Sequence, residues 1–156
     1  MLLLLEAPGP KAVKSGFVSR NNPDDTAKNF FEINVAAGLN RKRTVVWNIV
    51  PWYIGTGSTK IHAAKSTDIK AGILSLLRLL ELLSRLHAVV LIGRKAERAK
   101  SVIASARPEL QLLTCPHPSP LYVNHHPSHR EKVRLALATA GAVTSLRPSG
   151  HLAFAR

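Results

Sequence analysis

The sequence predicts an α/β fold, a three-layer α/β/α domain on a central four-stranded parallel sheet. Four short apolar runs, Leu2–Leu5, 44–47, Ala88–Ile92 and 110–114, each end at a proline, a glycine or a polar residue, as buried strands do. Helical patterns lie between them. The resulting order β-α-β-α-β-α-β-α requires crossovers that lay helices on both sheet faces and leave the strands parallel.

The first helix is expected over 24–38, opening behind Asn22-Pro23-Asp24-Asp25 and closing at Gly38, with Phe30, Phe31, Ile33 and Val35 available for packing. The second is expected over 68–86, where leucines cover a broad face and Ser75, Arg78, Glu81 and Arg85 keep a narrow polar stripe. Two more follow, at about 94–106 and 129–140. Residues 51–67, with Gly55, Gly57, Ser58 and Thr59, read as a long loop of the kind that often carries function. Residues 1–143 form the expected domain, and 144–156 an expected loosely ordered tail.

A chain of 156 residues suits one domain with a real core, and its 46% apolar content excludes general disorder. Lys and Arg total 22 against 9 Asp and Glu, a formal charge of +13. Such an excess draws polyanions and points to nucleic acid. The single cysteine, Cys115, excludes an internal disulfide and any cysteine-built metal or cluster site. The opening leucines are too few to cross a bilayer and lack a basic flank, so no membrane partner and a cytoplasmic location are expected. A monomer is expected.

In a parallel sheet, ligands bind beyond the carboxyl ends of the strands. Those exits here carry Glu6-Ala7-Pro8-Gly9-Pro10, Asn48, Gly93-Arg94-Lys95 and Cys115-Pro116-His117-Pro118-Ser119-Pro120-Leu121. An acid, an amide and an imidazole should therefore meet in one crevice.

These residues resemble a known family. His117-Pro118-Ser119-Pro120-Leu121 looks like the signature loop of the uracil-DNA glycosylase superfamily, and Glu6-Ala7-Pro8-Gly9 resembles the Gly-Glu-Ala-Pro-Gly motif of its iron–sulfur branch. Asn48 after a strand resembles the uracil-reading asparagine, and Ser15-Gly16-Phe17-Val18 is similar to the stretch whose phenylalanine stacks on the base. Val90 to Ala96 looks like the family's hydrophobic strand and basic helix start, so the resemblance spans 2–137. Leu5 stands where the motif has its first glycine, and the four cluster cysteines are missing, which implies a cluster-free relative that needs no cofactor. The chain also starts almost on its first strand, which implies an N-terminally shortened version.

The resemblance implies a glycosylase-like fold and hydrolysis of the bond joining a flipped-out uracil to DNA. His117 would donate to uracil O2 as the base departs as an anion. Asn48 carries one acceptor and two donors, matching the N3–H and O4 edge of uracil and mismatching cytosine. Phe17 would stack on the base, with Ala7, Pro8 and Gly9 also in the substrate-binding set. Glu6 could orient water or steady the sugar cation, or serve only as a structural acceptor. Leu121 would fill the gap left by the base, and Ser15, Ser119, Arg94 and Lys95 would meet phosphates.

Other signals fall short. Gly55 to Lys60 lacks the ending of a phosphate loop, and His125, His126, His129 and Cys115 match no common zinc spacing. Two rivals remain open: a non-catalytic basic nucleic-acid-binding relative of the same fold, and a nucleotide-handling α/β enzyme.

Overall fold

The computed structural model describes residues 1–57 and 60–145. In chain order its elements are β1 (Leu2–Leu5), α1 (Pro10–Ser15), α2 (Asp25–Ala36), a 3-10 turn (Arg41–Arg43), β2 (Val45–Asn48), β3 (Gly55–Thr56), β4 (Lys60–Ile61) and α3 (Ser66–Leu82). They continue with β5 (Ala88–Ile92), α4 (Arg94–Glu97), α5 (Lys100–Ala106), β6 (Gln111–Cys115), α6 (Pro120–Val123) and α7 (Pro127–Ser145).

The four apolar runs form one parallel sheet in the order β2-β1-β5-β6. Strand side chains alternate between faces, and the leucines of β1 divide accordingly. Leu2 and Leu4 enter one core with Val89, Leu91, Leu76, Leu80 and Ile103, under α3 to α5. Leu3 and Leu5 enter a second with Val90, Ile92, Phe30, Ile33, Val133 and Leu137, under α2, α6 and α7. This is the three-layer α/β/α arrangement, with a four-stranded parallel centre. Its continuous apolar runs follow from burial on both faces.

Helix limits depart from the sequence expectation where local bonds outweigh periodicity. Asp24 caps α2 by accepting from the Ala27 N–H at 2.9 Å, but only Phe30 and Ile33 of its large apolar residues are buried, while Phe31 and Val35 face solvent. The α3 helix starts two residues early, where the Asp68 carboxylate accepts from the Lys65 N–H at 2.8 Å. It ends at Leu82, before the expected 86. The stretch 94–106 splits in two, since Arg98 and Ala99 bond back to Lys95 and Ala96 in a tighter turn. Proline suits a first helical turn, so α7 opens at Pro127 and runs on to Ser145. Thr144 and Ser145 of the expected tail therefore end α7, with the buried Thr144 hydroxyl donating to Gly141 O; residues 146–156 lie outside the described residues.

The expected loop 51–67 contains the antiparallel hairpin of β3 and β4, and Ser58 and Thr59 at its turn lie outside the described residues. Both α1 and α6, each opening on a proline, are too short to leave a periodic signal. Among the described residues no helix is long and apolar enough to cross a membrane.

One close approach fixes the end of β2. Helix α3 crosses the chain just after Asn48 at Gly72, where a Cβ would lie 1.8 Å from the Ile49 carbonyl oxygen. Backbone rather than a movable side chain fills that space. Gly72→Ala should therefore lower the denaturant midpoint, by the equivalent of about 1–3 kcal/mol or more, by forcing α3 away from the chain after Asn48. An unchanged midpoint would show that α3 can shift without cost.

Candidate active site

The carboxyl ends of β1 and β2 are held in step beyond the strands themselves. Leu5 is paired with Asn48, and the Ile49 and Val50 N–H groups donate to Leu5 O and Glu6 O at 2.8 and 2.9 Å. The chain then turns through Ala7, Pro8 and Gly9, the last accepting from the Ala12 and Val13 N–H groups as α1 begins. Above this turn lies a cleft of about 430 Å³, whose walls include Glu6, Ala7, Pro8, Gly9, Asn48 and His117. Exits from three strands thus share one crevice. The fourth, Gly93 to Lys95, lies outside it.

Asn48 is the last residue of β2 and is 3% exposed. Among the described residues its side-chain amide has no hydrogen-bond partner. Whereas the neighbouring Trp47 Nε1 is buried without a partner, the amide opens on the cleft, where its donors and acceptor are free to meet a ligand. It does not close the strand's last backbone bond, and no hydrogen bond fixes which end of the amide faces inward.

His117 packs over Gly93, with no side chain between them. Burial pulls its imidazole below the ordinary value of 6.5, and the nearby Glu6 carboxylate opposes that shift without cancelling it. The ring is therefore neutral at pH 7. A neutral ring still donates through one nitrogen, so it can meet a developing oxyanion without a full charge of its own.

Glu6 reaches across the cleft. Its Oε1 accepts from the Ala64 N–H at 2.7 Å, and Lys95 Nζ donates to Ala64 O at 2.5 Å. Both backbone groups of this 1%-exposed residue are thereby satisfied by charged side chains from the exit of β1 and from α4. Glu6 does serve as a structural acceptor, for the segment before α3 rather than for its own turn. Lys95, expected at a phosphate, is engaged by the protein.

The remaining expected residues scatter. Phe17 is 65% exposed and lines a neighbouring cavity of about 530 Å³ with Trp47, Pro51 and Tyr53. That cavity shares Pro8, Ala12, Val18, Val46 and Asn48 with the first, so Asn48 stands in the wall between them. Phe17 is not a core residue, nor does it face His117 within one cavity. Ser15 turns its hydroxyl to Ala12 O, Phe17 O and Asn22 Oδ1, bracing the chain after α1, which is a structural role in place of the expected phosphate contact. Ser119 precedes α6 and its carbonyl accepts from Tyr122 and Val123. Leu121 stands 93% exposed, and Arg94 faces solvent at the start of α4.

The Uracil DNA glycosylase superfamily matches residues 2–139. The chain belongs to the uracil-DNA glycosylase superfamily. A comparison with curated proteins finds no match. The crystal structure of SMUG2 from Pedobacter heparinus superposes with a TM-score of 0.61 at 13% identity, over 92% of this chain and 75% of that one. A solution structure from Methanosarcina acetivorans, described as a candidate uracil DNA glycosylase, gives 0.58 at 14% identity, over 88% of this chain and 89% of that one. At such identities these structures share the fold.

This superfamily member also lines its cleft with residues that sequence reasoning missed. Arg20 is 7% exposed and donates to Asn34 Oδ1 and Thr44 Oγ1 at 2.7 and 2.8 Å, tying the loop after α1 to α2 and to the residue before β2. Lys11, Asp24, Thr26 and His62 line the cleft as well. Only Asp24 had a local signal, its position before a helix.

The depressed His117 titration sets a pH dependence. The unfolded chain takes up this proton as pH falls through about 6.5, whereas the folded chain resists, so this stability is present above 6.5 and lost below it. Urea melts should show wild type losing more stability than His117→Gln between pH 7 and 5. Equal losses would mean that the imidazole is not buried as described.

Proposed function

We propose that this protein is a monofunctional DNA glycosylase that hydrolyses the N-glycosidic bond of uracil flipped out of DNA. The observation that carries the reading is the shared cleft, with the unpartnered Asn48 amide and the neutral His117 imidazole both in its walls.

The chain's own residues divide the work. Leu121, exposed beyond the His117 loop, enters the stack as the nucleotide leaves it. The base settles beside Asn48, whose amide rotates to give its oxygen to N3–H and its N–H to O4. Phe17 approaches the base from the neighbouring cavity, and the backbone of Ala7, Pro8 and Gly9 forms the adjoining wall. As the bond between N1 and C1′ breaks, the electron pair stays on the uracil ring. His117 donates to O2, where negative charge collects. Water attacks C1′ and gives up a proton, the uracil anion takes up one in its place, and the products are an abasic site and free uracil. Glu6, with one oxygen held by Ala64, presents the other to that water or to the sugar cation. Ser119 and Arg94 are suited to the flanking phosphates. The overall charge of +13 supports DNA as the partner.

The test is release of uracil from a labelled oligonucleotide in a single turnover, read as alkali-sensitive breakage. Removing one preorganised donor to a developing oxyanion costs about 10²–10³ in rate, so His117→Ala should fall by that factor. Asn48→Ala should lose at least about tenfold, since the uracil edge is left unpaired. Full activity in either variant would remove that residue from the mechanism. Salt-sensitive DNA binding by wild type with no base release would replace this reading with a non-catalytic DNA-binding relative.

A further inference from the structure

The inner and outer parts of the cleft differ in chemistry. Its walls hold Asn48 at 3% exposure and the packed His117, together with the half-buried carboxylates of Glu6 and Asp24, each accepting from a backbone N–H. Its mouth holds two exposed side chains from separate elements, Lys11 of α1 and His62 just after β4. Lys11 makes no ion pair among the described residues. The His62 Nε2 lies 2.6 Å from the Thr56 hydroxyl across the hairpin. That hydroxyl can donate to Nε2 or accept from it, and in the tautomer where it donates Nδ1 keeps its proton as a free donor. The segment is anchored two residues on, where Ala64 is held by Glu6 and Lys95.

The geometry points to Lys11 and His62 as a two-sided phosphate clamp at the cleft mouth, gripping a phosphodiester of DNA beside the extruded nucleotide. This inference rests on the reading above. A nucleotide that enters base first leaves its phosphates at the opening, where they stay solvated. The two carboxylates repel a phosphate from the interior, and the lysine and imidazole meet it at the rim. Arg20, the other cation lining the cleft, is buried and already bonded to Asn34 and Thr44, so it does not compete for that phosphate.

Binding is read by fluorescence anisotropy with a single-stranded oligonucleotide carrying 2′-fluoro-2′-deoxyuridine, which resists hydrolysis. Either flanking phosphate is then replaced by an uncharged methylphosphonate. Wild type should lose about tenfold in affinity on one of the two replacements, the size expected for a charge-assisted contact. The Lys11→Met/His62→Gln double variant should bind the unmodified strand more weakly and lose less than twofold on the same replacement. Lys11→Met alone should reduce the slope of log K against log salt by about 0.7, one contact on a single strand. His62→Arg should keep the affinity that His62→Gln loses, and thermal melts should match wild type, because both side chains are exposed. An equal penalty in wild type and double variant, or wild-type affinity in the double variant, would overturn the clamp. Equal wild-type affinity for a thymidine strand would instead count against uracil recognition, with the phosphate coupling still measured.

Discussion

His117 leaves the sheet two strands away from β1, so its imidazole has to pass over the end of β5 to reach Glu6 and Asn48. Gly93 occupies the crossing point. Its backbone sits at φ +83°, a conformation that costs side-chain-bearing residues, and its N–H donates to Cys115 O at 2.8 Å. A Cβ there would lie 3.3 Å from the His117 Cβ and 3.5 Å from its Cδ2. Bare backbone at this position brings the β6 exit down onto the end of β5, and the cleft exists in its present form because of it.

The same region leaves an amide unbonded where a ligand is expected. The Asn48 amide opens on the cleft with no hydrogen-bond partner among the described residues, and the indole Nε1 of Trp47 beside it is buried without one, although other polar groups nearby are bonded. Ala64 has both its backbone groups bonded by charged side chains, and Arg20 links the loop after α1 to Asn34 and Thr44. Bonded groups thus frame a cleft wall in which the Asn48 amide is left for a ligand. That combination favours a ligand able to complete the amide's bonds over one that cannot.

The fold and the inner site were legible in the sequence because both depend on local signals. Fully apolar runs mark strands buried on both faces, and chemistry concentrates where those runs stop, which led to Glu6, Asn48 and His117. The outer site was not legible, because tertiary contacts decide it. Nothing near Lys95 shows that its ammonium will reach Ala64, and nothing near Ser15 shows that its hydroxyl will turn to Asn22. Phe17 follows a motif, but whether it shares a cavity with His117 depends on how α1 leans on β2. His62 and Lys11 lie far apart in sequence, and only the hairpin and α1 bring them to one opening. Short proline-led helices escaped notice because six residues or fewer cannot show a helical period.

Side chains from the ends of β1, β2 and β6 converge on one cleft, and the proposed glycosylase requires them to act together on one base. The most direct measurement is a crystal structure of the protein with a strand containing 2′-fluoro-2′-deoxyuridine. The account predicts the uracil in the cleft, with the Asn48 amide at N3 and O4 and a His117 ring nitrogen at O2, each within about 3.1 Å. A uracil bound elsewhere, or held in the cleft with Asn48 and His117 both out of reach, would contradict it.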